Sequence, residues 1–146
     1  MIKIIAVGKM KNRQLAELAQ EYQKRLSKYD KLEIAEIKDS DAAREGEKIL
    51  EILSCAKGKI YAMAEEGKCQ SSEAFSKALE EDLAKFGTSI FIIGGPYGLS
   101  KEVKERAQAL MSLSPMTFTH EWARAILLEQ LYRAKSISAG SGYHHK

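Results

Sequence analysis

Two loops and one terminus of this chain carry residue types that can do chemistry. The first loop, Gly94-Gly95-Pro96-Tyr97-Gly98, follows the apolar run at 88–93. Adjacent glycines let a backbone approach a ligand closely or take positive φ, so a nucleotide-like ligand fits there, as does a plain strand-to-helix turn. A dinucleotide fingerprint needs a third glycine at G-x-G-x-x-G spacing and a P-loop needs Gly-Lys-Ser/Thr, so the loop is neither. The second loop, Ser114-Pro115-Met116-Thr117-Phe118-Thr119-His120-Glu121, ends on a histidine at the mouth of a helix. His120 and Glu121 have the types of an acid and a base, but sequence neighbours need not point to one site, and a histidine there also serves as a cap or packing residue. The terminus Tyr143-His144-His145-Lys146 joins aromatic and basic groups of the kind that stack on and clamp an unpaired nucleotide; by position alone it reads as a frayed end. Arg124 and Arg133 add two cations to an otherwise apolar helix.

Alternating strands and helices must position these residues. Strands are expected at 2–7, at Leu32, Ile34 and Ile37, at 59–63, at 88–93 and at 114–118, from short β-branched or half-alternating apolar runs. Helices are expected at 12–29, where Leu15, Leu18, Ala19, Tyr22, Leu26 and Tyr29 share one face, and after Asp39-Ser40-Asp41, carrying Ile49, Leu50, Ile52 and Leu53. Gly67 reads as a turn before a helix that starts at Ser71-Ser72-Glu73 and bears Phe75, Ala78, Leu79 and Leu83. Ser100 is placed to cap a short helix of Val103, Ala107 and Leu110, and 121–137 is a long last helix. The result is an α/β fold with a mostly parallel sheet flanked by helices, since parallel neighbours require crossover connections. Ligands in such sheets bind beyond the carboxyl ends of the strands, which selects the loops after Val7, Met63, Ile93 and Phe118.

At 146 residues the chain is expected to close one core, a single domain spanning 1–146. Cys55 and Cys69 have no Cys or His at metal-ligand spacing, so they build neither a disulfide framework nor a zinc site, and no metal is expected. The opening apolar run is too short for a leader, and no stretch approaches the roughly 18 apolar residues of a membrane span, so a cytoplasmic protein is expected. A formal charge of +3 permits a nucleic-acid partner without demanding one. The basic groups Lys9, Lys11, Arg13 and Lys24, Arg25, Lys28, Lys31 interleave with Glu17, Glu21 and Glu33, the pattern of a solvated face. The last helix is apolar around most of its girth, which makes it either a core element or one shared with a second subunit.

Read together, these segments resemble the RlmH family of SPOUT-class methyltransferases over essentially the whole chain. The resemblance rests on Ile4-Ile5-Ala6-Val7-Gly8-Lys9 and on Gly67-Lys68 followed by Ser71-Ser72-Glu73. It continues through Phe91 to Ser100, Leu113 to His120, Ala123 to Ala134 and the terminal Tyr143-His144. It implies a SPOUT fold with a C-terminal trefoil knot, a homodimer, and S-adenosylmethionine bound in the knot. The cofactor-binding positions it implies are Met63, Gly94, Gly95, Pro115, Met116, Thr117, Phe118, Thr119 and His120. This chain departs from the family pattern at Ala64, where Asp is common, at Thr119, where Pro is usual, and at Gly142, where Pro precedes the tyrosine.

The resemblance further implies methyl transfer to N3 of a pseudouridine in 23S ribosomal RNA, on the assembled large subunit or ribosome. The imide N3 proton must be removed and the reactants aligned. His144 is the candidate base or base-orienter, Tyr143 the stacking or hydrogen-bonding group, and Arg133 the partner of a phosphate or incipient imide anion. A non-enzymatic nucleotide-binding ribosome-associated module and a SPOUT methyltransferase acting on tRNA are the alternative readings.

Overall fold

A computed structural model of the chain describes residues 1–145; Lys146, the last residue of the basic tail, lies outside them. Five strands form one sheet: β1 (Ile2–Val7), β2 (Leu32–Ile37), β3 (Lys59–Lys68), β4 (Ser89–Ile93) and β5 (Ala109–Met111). The spatial order is β2-β1-β4-β3-β5 and every pairing is parallel, so all five carboxyl ends open on one edge. The helices are α1 (Arg13–Leu26), α2 (Ala42–Ser54), α3 (Ser72–Phe86), α4 (Lys101–Arg106) and α5 (His120–Ser138).

The period of two in the strands sorts the core into two layers. Ile2, Ile4 and Ala6 join Phe91, Ile93 and Tyr61 against α1, α3 and α5. Ile5 and Val7 join Ile37, Ile60, Ile90 and Ile92 against α2 and α4. Each helix starts on a side-chain cap accepting an orphan N–H three residues on: Asn12, Asp41, Ser71, Ser100 and Thr119. Thr119, one of the departures from the family pattern, therefore serves as the N-cap of α5.

Three expectations are corrected. Residues 114–118 are a loop, because Ser112 and Ser114 spend their hydroxyls on local backbone groups and Pro115 has no N–H for a ladder. The fifth strand lies earlier, at Ala109–Met111, where a helix was expected to include Leu110; α4 stops at Arg106 and Ala107 turns extended, with φ −72° and ψ 145°. Gly67 is not a turn. It lies inside β3, which continues to Lys68 past an irregularity where Met63 and Lys68 both face Met111. A Cβ at Gly67 would lie 2.6 Å from the Met111 backbone, so only glycine lets the two strands close there.

Candidate functional site

The 63–66 stretch of β3, the loop after β4 and the segment 111–120 converge at the carboxyl edge of the sheet. They enclose a cavity of about 870 Å³, within the range of small-molecule sites. Met63, Gly94, Gly95, Met116, Thr117, Phe118, Thr119 and His120 line it, while Pro115 does not. Ile93, Leu99, Met111 and Leu113 complete an apolar wall, and Glu65, Glu66 and Lys104 stand on the polar side. The extension of β3 brings in those two glutamates, and no sequence signal separated them from ordinary surface charge. Thr117 Oγ1 donates to Glu65 Oε1 at 2.7 Å, tying the loop to β3. Lys104 Nζ donates to Glu66 Oε1 at 2.6 Å and holds that carboxyl below its usual range. Ala64 lines the same cavity, without the carboxylate that the resemblance places at this position.

The adjacent glycines have a reason of their own. A Cβ on Gly94 would fall 2.8 Å from the Gly98 carbonyl carbon, and one on Gly95 would fall 3.1 Å from Val7 Cγ1. Their smallness lets the loop fold on itself and onto β1. The turn is closed by Gly98 N–H donating to the Gly95 carbonyl at 2.9 Å, with Gly98 at φ +76°. Tyr97, at its tip, is 79% exposed at the cavity mouth.

His120 and Glu121 both line the cavity. His120 Nε2 is 3.3 Å from where a Gly8 Cβ would be, and Glu121 Oε1 is occupied by the N–H groups of Lys11 and Asn12 ahead of α1. Arg124 is buried and pairs with Glu36, with Nη1 donating to the Gly8 carbonyl at 3.4 Å. It fastens α5 to the ends of β1 and β2, a structural task.

The carboxyl-terminal tail is docked, contrary to the frayed reading. Tyr143 packs edge-on to Tyr132 at 4.7 Å, lies under the Arg133 guanidinium at 4.8 Å and donates to Glu129 Oε1 at 3.0 Å. With its one proton committed to Glu129, Tyr143 receives the hydroxyl proton of Tyr22 at 3.0 Å. Burial, then these two partners, push the Tyr143 phenol well above its ordinary value. Arg133 holds Glu129, which raises the guanidinium further and keeps it charged. Its Nη1 lies 3.1 Å from His144 Nδ1. An arginine only donates, so Nδ1 accepts, and the ring proton sits on Nε2, 3.0 Å from Glu73 Oε1.

Tail and cavity are apart within one chain. Arg133 lies thirteen residues along α5 from His120, about 20 Å at the helical rise. Between them, beside the tail cluster, Leu18, Tyr22, Trp122, Ala125, Ile126 and Glu129 line a groove of about 240 Å³. Leu18 is 42% and Trp122 51% exposed there.

A family described as "Predicted SPOUT methyltransferase" matches residues 1–144. A relative from Ligilactobacillus salivarius (strain UCC118), named ribosomal RNA large subunit methyltransferase H, is 43% identical, the alignment covering 98% of each chain. Proteins of the same name from Streptococcus pneumoniae (strain CGSP14) and Flavobacterium johnsoniae are 44% and 40% identical, covering 98% and 99% of each chain. Among solved structures, a probable methylase family protein from Haemophilus influenzae Rd KW20 matches with a TM-score of 0.56 at 9% identity, covering 99% of this chain and 70% of that one. That likeness concerns the fold.

Proposed function

This chain belongs to the SPOUT methyltransferase family, and from that premise we propose that it methylates N3 of a pseudouridine in 23S ribosomal RNA, using S-adenosylmethionine, on the assembled ribosome. The observation that carries the reading is the cavity lined by Met63, Gly94, Gly95 and the 116–120 segment at the carboxyl edge of a parallel sheet. Its apolar wall suits an adenine ring, and its volume suits one cofactor with space for a substrate base. When bound, S-adenosylmethionine supplies a methyl group made electrophilic by its sulfonium. In this reading the C-terminal part of the chain is knotted in the manner of the family, with α5 packed beside α1 and α3.

The functional unit is a homodimer. Ile126 lies midway between His120 and Arg133, so an antiparallel two-fold through the Leu18–Trp122–Ile126 groove sets the Arg133 end of one α5 beside the cavity of the other subunit. The groove is apolar, exposed and continuous with the tail cluster through Tyr22 and Glu129, which fits a second copy of this chain.

Arg133, Tyr143 and His144 then face the substrate. Arg133 leaves His144 Nδ1 to bind a phosphate or the incipient imide oxygen, and the freed Nδ1 lone pair accepts the N3 proton. Glu73 keeps the opposite ring proton on Nε2 and steadies the imidazolium that results. Tyr143 stays a neutral phenol, suited to hydrogen bonding and stacking rather than to proton abstraction.

Methyl transfer from labelled S-adenosylmethionine to intact ribosomes and to free ribosomal RNA, with nucleoside analysis, tests this. Labelled 3-methylpseudouridine from ribosomes, lost in His144→Ala and Arg133→Ala, is expected. Cofactor binding without transfer to any RNA supports a binding module instead, and transfer to tRNA alone redirects the substrate.

A further inference from the structure

Glu45 is a buried carboxylate that the chemistry above leaves unused. It sits in the first turn of α2, 2% exposed, and its Oε2 accepts the Ser40 N–H at 2.8 Å. Among the described residues Oε1 has no partner and is shut from solvent, and so is the Ser40 hydroxyl. A buried acceptor without a donor is costly, and it marks a place where a donor arrives in another state of the molecule. The neighbour is specific: a Cβ on Gly95 would lie 3.4 Å from each Glu45 oxygen. The carboxylate therefore lies against the backbone of the glycine loop, on the side of that loop facing α2.

The next residue touches the far end of the same loop. A Cβ on Gly46 would meet Ser100 Oγ at 2.5 Å, so the start of α2 braces the 94–100 segment at both ends. Pro96 has no N–H, so a donor for this oxygen from the 94–96 stretch can come only from the Gly94 or the Gly95 amide.

We infer that Glu45 is a positioning residue for the cofactor loop, its Oε1 accepting a peptide N–H of the Gly94–Gly95 segment when S-adenosylmethionine is bound. This rests on the cofactor assignment proposed above. Binding the cofactor and satisfying the buried oxygen are then one event, so part of the cofactor's affinity resides in a side chain that does not touch it.

Glu45→Gln is the discriminating change. The amide oxygen must stay on the Ser40 N–H, so the NH2 group faces the loop, donor against donor, with the volume unchanged. By calorimetry its dissociation constant for S-adenosylmethionine rises about tenfold, equivalent to about 1.4 kcal/mol. The cofactor KM rises in step, kcat at saturating cofactor is kept, and Glu47→Gln on the exposed face of α2 binds like wild type. In the wild-type protein, amide exchange at Gly94 and Gly95 slows on adding the cofactor. Wild-type affinity in Glu45→Gln, or no slowing in the wild type, overturns the inference; the exchange result decides alone if the variant does not fold. If the wild type binds no cofactor, the proposed function falls with it; if it binds and methylates while Glu45→Gln is unchanged, only the role of Glu45 falls.

Discussion

Two variants that are inactive alone should restore activity when mixed as subunits. His144→Ala removes the proposed tail base, and Gly94→Val drives a side chain into the Gly98 backbone, where even a Cβ would stand 2.8 Å from the carbonyl carbon. The argument is one of reach. Reacting atoms must come within about 3–3.5 Å, yet the His144 ring is held at Arg133, about 20 Å along α5 from the cavity end of the same helix. In the proposed dimer a tail therefore serves the cavity of the other subunit. Co-unfolding and refolding equal amounts gives about half heterodimers, each with one complete site in two, so about a quarter of wild-type turnover returns. The assay is labelled methyl transfer to ribosomes by the mixture and by each parent, with gel filtration to follow subunit exchange. If exchange is complete and the mixture stays at the level of its parents, cavity and tail act within one subunit and the two-fold arrangement is wrong.

Other perturbations test single contacts. Gly67→Ala forces a Cβ to within 2.6 Å of the Met111 backbone and should lower stability by about 1–3 kcal/mol, as overpacking does; an unchanged urea midpoint would contradict the β3–β5 closure. Arg124→Met leaves the Gly8 carbonyl without its donor and Glu36 without its cation; since Glu36 is 40% exposed and water compensates it, a loss of about 1–2 kcal/mol in chemical denaturation is expected. Tyr61 and Tyr143 both hold their protons above the ordinary phenol value near 10, each chiefly through burial, so the stability they add is present below pH 10 and fades as the unfolded chain ionises above it. Ultraviolet titration should show the native protein releasing fewer phenolic protons than the unfolded chain between pH 10 and 11, and a native curve equal to the unfolded one would refute the burial of both hydroxyls.

Much of the framework was legible because its causes are local. Asp41, Ser71 and Ser100, read from the sequence as helix starts, stand one residue before their helices and accept the N–H three residues on, while the structure adds Asn12 and Thr119 as caps of the same kind. The short β-branched runs gave β1 and β4, and the 3.6-residue spacing of Leu15, Ala19 and Leu26 gave the buried face of α1. Local signals failed at 107–118, where Leu110 suits a helix or a strand equally and the serine hydroxyls outcompete a ladder at 112–116. Gly67 failed for the opposite reason: a glycine reads as a turn until a neighbouring strand is seen to need the space of its missing side chain.

The sequence by itself determined the class of fold, the two loops at the strand ends and the residue types that any chemistry would draw on. Tertiary structure decided which of them share a place. It engaged Glu121 with the amides ahead of α1, made Arg124 a fastening, pinned Tyr143 to Tyr22 across 121 residues and left Glu45 with one oxygen unpaired beneath Gly95. Propensity and capping act over a few residues and leave their marks in order along the chain. Proximity across a parallel sheet comes from crossover connections and packing, which join residues the sequence keeps far apart.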